Sequence, residues 1–178
     1  MPHTSNGNAI DYVAIAILRR DDQLVMVRQH VPDSGQPYWV LPGGLVEAGE
    51  LVHQALIREV KEEAGVTVTA IGPLAVLSQI DRPAHAGQTL AFTFEVSHWQ
   101  GELQVQDPDG EVSGVELVPQ AEAIARMARS NGWAGVREPL LAYLRGQAEA
   151  GTMWFYRETE NGQGLVSSLP QTETAAGY

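Results

Sequence analysis

Apolar residues fall along this chain in short runs broken by polar turns, and the period of the runs changes twice. Aliphatic residues crowd residues 12–18 (YVAIAIL) and 24–28 (LVMVR), with the polar stretch RRDDQ between them. Runs of this length bounded by turn formers predict a pair of strands joined by a turn. A short strand is predicted at 38–41, running into Pro42, and further strands at 66–70, 74–80 and 90–96, the last alternating as AFTFEV. Asp107 to Gly110 has the composition of a turn, after which 112–118 reads as another strand. Beyond Pro119 the period lengthens: 121–129 and 135–145 have helical composition, the second with Val136, Leu140, Leu141 and Leu144 on one side. Residues 50–64 form the remaining helical segment. No internal repeat is present. Strands interleaved with helices place the chain in the α/β (α+β) class, which several architectures share.

Length and charge narrow the picture. At 178 residues with 44% hydrophobic content, one domain with a sizeable core is expected. We expect it to occupy residues 9–156, with flexible ends at 1–8 and from Arg157 onward, where RETENGQGLVSSLPQTETAAGY is polar and poor in aliphatics. Trp154, Phe155 and Tyr156, just before that tail, suit a core or edge position or a homodimer contact. The net charge of -11 leaves no basic excess to release phosphate counterions, so neither nucleic acid nor an anionic membrane is expected as a partner. With no cysteine, disulfides, thiolate catalysis and sulfur-ligated zinc are excluded. The first residues, MPHTSNGN, lack the basic and apolar regions of a signal peptide, and no apolar run has the length of a membrane span, so a cytoplasmic location is expected.

The chemistry is concentrated in residues 44–66, GLVEAGELVHQALIREVKEEAGV, which hold five carboxylates, one arginine and three glycines. On a helix, at about 100° per residue, Glu62 falls roughly 60° to one side of Glu59 and Glu63 roughly 40° to the other. Three carboxylates on one face repel each other, and a cation should sit over them. A hard divalent ion fits: magnesium takes oxygen ligands and is usually held by one or two carboxylates together with substrate phosphates. Gly43 and Gly44, within LPGG, allow a close backbone approach, Gly49 suits the turn into the helix, and Gly65 suits the left-handed residue at its end. A solvated acidic helix is the alternative, and it explains none of these glycines.

The frame of Gly44, Glu50, then Arg58-Glu59-Val60-Lys61-Glu62-Glu63-Ala64-Gly65-Val66 resembles the Nudix box of the Nudix hydrolases at every fixed position. The resemblance implies the Nudix fold, a mixed sheet sandwiched between helices with a catalytic loop-helix-loop on one side. It implies Glu59 and Glu63 as the principal metal ligands, Glu62 as a direct or water-mediated third, and the backbone carbonyl around Gly43 as a further one. Arg58 is expected to turn away from the metal and pair with Glu50, bracing loop against helix. Glu47 and His53 occupy variable positions. Outside the box the expectations are thinner: Arg28 for substrate phosphate, Glu111 for an extra metal ligand or the general base, with Asp107, Asp109 and Glu116 as acidic alternatives, and His85 for substrate contact. Pro83, seventeen residues beyond Val66, lies near the distance at which the ADP-ribose group of the family often carries a proline, whereas LPGG also suits triphosphate-cleaving members. Tyr38, Trp39, Phe92 and Phe94 could stack on a base.

The implied activity is a magnesium-dependent pyrophosphohydrolase, manganese being a substitute. Its expected substrate is a small nucleotide: a nucleoside diphosphate linked to another moiety, of the ADP-ribose or nucleotide-sugar kind, or a nucleoside triphosphate. The alternative is a non-catalytic sensor that binds a nucleotide without turning it over.

Overall fold

The computed structural model of the chain describes residues 9–30, 37–85 and 87–170. In chain order the elements are β1 (Ala9–Arg20), β2 (Gln23–Gln29), β3 (Tyr38–Val40), β4 (Gly43–Leu45), α1 (Val52–Ala64), β5 (Thr67–Arg82), β6 (Gly87–Gln100), β7 (Val112–Pro119), α2 (Gln120–Ala128), α3 (Ala134–Leu144), β8 (Thr152–Thr159) and β9 (Gly162–Leu169). Among the described residues the strands form one mixed sheet in the order β3-β2-β1-β6-β5-β8-β9, with β4 added on β1 and β7 on β2. β1 runs parallel to β6, as β5 does to β8, and the other pairs are antiparallel.

Along β1 successive side chains point to opposite faces, as strand geometry requires, and both faces are covered. Ile15 and Ile17 point into a core shared with Leu24, Met26, Ala123, Met127, Leu140 and Leu141, beneath α2 and α3. Ala14, Ala16 and Leu18 point the other way, into a second core with Leu56, Val60, Val66 and Val96, beneath α1. The mixed sheet therefore has helices on both faces. No helix among the described residues is long and apolar enough to cross a membrane.

Three boundaries differ from those expected. Residues 66–70 and 74–80 are not separate strands but parts of β5, which stays paired with β6 through register shifts across Gly72 and Pro73. A bulge lets the ladder absorb a residue that has no N–H to donate, so the break in pattern is not a break in the strand. The box helix starts at Val52 rather than Glu50, because Leu51 takes the extended N-cap conformation and its N–H donates to Gln54 Oε1 at 2.8 Å. The expected flexible tail from Arg157 is also corrected: residues 157–159 finish β8, and β9 returns antiparallel to it, Thr159 opposite Gly162 and Met153 opposite Leu169. This hairpin is held by backbone pairing more than by burial, with Leu165 and Val166 left exposed, so hydrophobic content did not announce it. The turn itself is Glu160-Asn161, and Gly162, at φ 105°, opens β9 directly after it; the Asn-Gly pair at 161–162 was the available signal, being common where hairpins turn. The expected ends at 1–8 and 171–178 lie outside the described residues. Of the three aromatics before the tail, Tyr156 is buried, Trp154 packs on the α2–α3 core and Phe155 is half-buried.

Candidate active site

The site is assembled where α1 crosses β1 and β4. Ala55, Leu56, Val60 and Ala64 are fully buried on one side of α1, so the register that seats them carries Glu59 and Glu63 to the edge of the sheet. Two glycines make the seat. At Gly43, with φ 155°, a Cβ would meet the Ala14 carbonyl oxygen at 2.3 Å and Ile15 Cα at 2.7 Å. At Gly44 a Cβ would lie 2.5 Å from Glu59 Oε1. The first glycine lets β4 lie against β1, and the second lets the Glu59 carboxylate lie against β4.

The carboxylates are held by one guanidinium and two backbone amides. Gly43 N–H donates to Glu63 Oε2 at 2.8 Å. Arg58 donates from Nε and Nη2 to the two oxygens of Glu50, at 3.1 and 3.0 Å, and from Nη2 to the Leu45 carbonyl at 2.9 Å. Glu50 is fixed from the loop side too, its Oε2 accepting the Glu47 N–H at 3.1 Å. The brace between loop and helix is thus the one expected. Arg58 is not turned away from the other carboxylates, however: its Nη1 donates to Glu59 Oε1 at 2.8 Å and to Glu62 Oε2 at 3.1 Å. A guanidinium has five donors, and two bidentate oxygens and one carbonyl do not exhaust them.

Burial charges this corner with unfavourable energy. Glu63 is only 6% exposed, and its carboxyl is pushed up to about 8, first by burial and then by the charges of Glu59, Asp107 and Glu111, against the opposing Gly43 hydrogen bond. Burial also raises Glu59 above the usual carboxylate range, with Arg58 opposing. The Arg58 hydrogen bond holds Glu50 below that range. Hydrogen bonds and ion pairs lower the cost of buried carboxylates, and here they do not cancel it. Among the described residues no three His, Asp or Glu side chains converge as a ready metal cage. The expected face of Glu59, Glu62 and Glu63 is instead divided, Arg58 drawing the first two and the Gly43 amide the third; Gly43 meets Glu63 through its N–H, where the resemblance implied its carbonyl as a ligand. The chemistry of the donors still suits magnesium: all are hard oxygens, and Glu59 and Glu63 are carboxyls whose charged form burial disfavours and a divalent cation would favour.

Gly43 also lines a cavity of about 230 Å3 on the opposite face, between the sheet and the α2–α3 connection. Tyr38 and Trp133 supply aromatic walls, Gln29, Ser130 and Arg137 polar ones, and Ile15 and Leu140 a floor. Tyr38 has its phenol pKa raised by burial and then by the charge of Glu111, which places Glu111 within electrostatic reach of both the cavity wall and Glu63. The volume is below the roughly 300–1,000 Å3 of sites that enclose a drug-sized ligand, and suits one ring system and its immediate substituents.

The structure gathers some of the expected residues and disperses others. Glu50, Arg58, Glu59, Glu62, Glu63, Gly43 and Gly44 come together, with Glu111 nearby and exposed. Asp107 spends its carboxylate on the Asp109 and Val112 N–H groups, and Glu116 on Arg126 at 2.7 Å. Arg28 is exposed and donates to Ser113 Oγ at 3.0 Å, while the bulge beside it turns Gln29 into the cavity instead. Pro83 stands at the far end of β5 in a single 3-10 turn and does not line the cavity; the His85 side chain lies outside the described residues. Arg82, next to Pro83, does reach the cavity wall, its guanidinium 4.8 Å from the Trp133 ring centre. Phe92 stacks on Phe94 and Trp39 lies under Arg126, and none of the three lines the cavity, so none is placed to stack on a base there. Trp133, Ser130 and Arg137 are the functional candidates that sequence reasoning missed. A tryptophan in the turn-like RSNGW segment, outside any apolar period, was the signal.

The sequence profile of the NUDIX domain matches residues 10–142, three-quarters of the chain. The chain belongs to the Nudix family. An ADP-ribose pyrophosphatase of Methanocaldococcus jannaschii is 33% identical over 102 residues, 57% of this chain and 59% of that protein. An 8-oxo-dGTP diphosphatase of Proteus vulgaris is 39% identical over 66 residues, 37% of this chain and 56% of that one. The chain thus spans less than two thirds of the length of either Nudix relative. The solved structure of a MutT protein from Bacillus halodurans superimposes with a TM-score of 0.67 at 24% identity, covering 91% of this chain and 99% of that one, so the two share the Nudix fold.

Proposed function

We propose that this Nudix chain hydrolyses a phosphoanhydride in a nucleoside diphosphate linked to a second group, ADP-ribose being the first candidate, with magnesium as cofactor. The observation that supports the reading is the position of Glu63 and Glu59: a buried and a half-buried carboxyl, both raised above the usual range, across a single glycine, Gly43, from an aromatic-walled cavity. A phosphate chain lying over Gly43 would leave its ring system in the cavity and its anhydride beside the glutamates. The 102-residue similarity to an ADP-ribose pyrophosphatase supports the choice of substrate.

Glu59 and Glu63 would hold magnesium, with Glu62 beside them. When bound, the ion lowers the pKa of an attacking water and offsets charge developing on the phosphate oxygens. The protein's own groups do the rest. Arg58, tied to Glu50 and the Leu45 carbonyl, keeps loop and helix in register so that the carboxylates keep their spacing. Glu111, exposed and within electrostatic reach of Glu63, is the candidate to take the proton from water.

The test is a panel of ADP-ribose, nucleotide sugars, nucleoside triphosphates and dinucleoside polyphosphates with magnesium or manganese, scored by product. Nucleoside monophosphate plus a sugar phosphate supports the proposal, and monophosphate plus pyrophosphate moves the substrate to the triphosphates. Glu63→Gln should lower turnover by roughly 10²-fold or more, because an amide cannot replace a carboxylate toward the ion. Absence of cation-dependent turnover on every compound refutes the reading.

A further inference from the structure

The profile match ends at residue 142, and the β8–β9 hairpin follows it. That hairpin nevertheless touches the cavity wall. Gly135 lies in the first turn of α3, where a backbone N–H has no partner within the helix; it donates to Gln163 Oε1, on β9, at 3.0 Å. The turn sits so close to the sheet that a Cβ on Gly135 would meet Ile80 Cγ1 at 2.8 Å and Tyr156 Cγ at 3.1 Å. One turn further, the buried Tyr156 hydroxyl donates to Glu138 Oε2 at 2.9 Å. The start of α3 is therefore fastened to β5, β8 and β9 together.

What this fastening holds is the outer wall of the cavity. Trp133 is the N-cap residue of α3, two positions before Gly135, and its carbonyl accepts the Val136 and Arg137 N–H groups. Arg137 in turn donates from Nη1 to the Ser130 and Gly132 carbonyls, at 2.6 and 3.1 Å, closing the loop that carries Trp133. The indole lines the cavity, is 45% exposed, and lies within cation–π range of the Arg82 guanidinium. A large aromatic ring held in place yet open to solvent at a cavity mouth is suited to stacking on a planar ligand. We propose that Trp133 is the stacking surface for the ring system of a bound nucleotide, and that Gln163, from the hairpin beyond the matched domain, is the positioning residue that keeps it there. The inference rests on the reading of this cavity as the nucleotide site.

The experiment is a titration of the full-length protein with ADP-ribose, and in parallel with GTP, followed by isothermal calorimetry with calcium as the divalent ion. Trp133→Ala should weaken binding roughly ten-fold or more, the scale of one base–aromatic stack. Gln163→Ala should weaken it about five-fold, the scale of a lost helix N-terminal hydrogen bond. Gln163→Glu should restore wild-type binding, since a carboxylate accepts the same N–H. The double alanine variant should bind no more weakly than Trp133→Ala alone, a pattern that a general loss of stability would not produce. Gln163 is half-buried on a surface strand, so its variants keep the core intact. Wild-type binding in Gln163→Ala, or additive losses in the double variant, overturns the positioning role. Unchanged binding in Trp133→Ala, with Glu63→Gln still inactive, overturns this inference and leaves the hydrolase reading standing. If neither probe binds the wild-type protein, the cavity is not a nucleotide site; if the substrate panel is also inert, the hydrolase reading fails with it.

Discussion

Alanine at Gly43 and alanine at Gly44, adjacent positions, should fail in opposite ways. At Gly43 the added Cβ meets backbone, the Ala14 carbonyl oxygen at 2.3 Å and Ile15 Cα at 2.7 Å, at a φ of 155° that side chains rarely adopt. Nothing there can rotate away, so β4 must lift from β1. Overpacking together with backbone strain puts the cost at about 3 kcal/mol or more. For a chain of this size that lowers Tm by roughly 6–12 °C. At Gly44 the Cβ meets only the end of the Glu59 side chain, 2.5 to 2.8 Å from its carboxylate atoms. That carboxylate can swing out, losing the 2.8 Å contact to Arg58 but disturbing no backbone. The stability cost should be about 1 kcal/mol, or roughly 2–4 °C. The catalytic cost should be larger: a displaced Glu59 no longer helps hold the ion, and a loss of about 10²-fold in turnover corresponds to about 2.7 kcal/mol in the barrier. Thermal unfolding and steady-state hydrolysis of the two variants, measured on the same preparations, settle the matter. Gly44→Ala with near-normal turnover, or with a Tm as low as that of Gly43→Ala, would refute the assignment of Gly44 as the seat of Glu59.

Two further outcomes follow from the charges around α1. An unfolded glutamate ionises near 4.5, whereas folded Glu63 keeps its proton up to about 8, so the stability this confers is complete below about pH 4.5 and is lost as pH rises through about 8. In chelator, Tm should therefore fall between pH 6 and pH 9 more steeply for the wild type than for Glu63→Gln, and equal slopes would show that Glu63 is not the titrating group. Arg58→Lys keeps the charge but cannot reach Glu50, Glu59, Glu62 and the Leu45 carbonyl at once; it should cost about 1–3 kcal/mol in urea unfolding, and a midpoint matching wild type would show the fork to be dispensable.

How much of this was legible in the sequence depends on the range over which each feature is decided. The strands at 12–18 and 24–28 were readable because an aliphatic run bounded by polar turn residues is a property of consecutive residues, and both faces of these strands are buried. The box was readable for the same reason: Gly65 (φ 74°) closes α1 locally, and Glu59, Glu62 and Glu63 share a helix face by the geometry of one helix. β9 was not readable from hydrophobicity, since its stability lies in backbone pairing with β8, although an Asn-Gly pair stood at the turn, Asn161 within it and Gly162 opening β9.

The sequence by itself determined the family and the carboxylate chemistry, because both are carried by residues within a single loop and helix whose geometry is local. Only the tertiary structure decided which partners those carboxylates take: Arg58 captures Glu59 and Glu62, and Gly43, brought in by the β1–β4 pairing, captures Glu63. It alone built the cavity, whose walls come from positions as far apart as Val13 and Leu140. It alone brought Arg82 over Trp133 and Gln163 to the Gly135 amide at the start of α3, since cation–π and hydrogen-bond contacts between residues this distant in the chain depend on how the sheet and its helices pack, which no local pattern records.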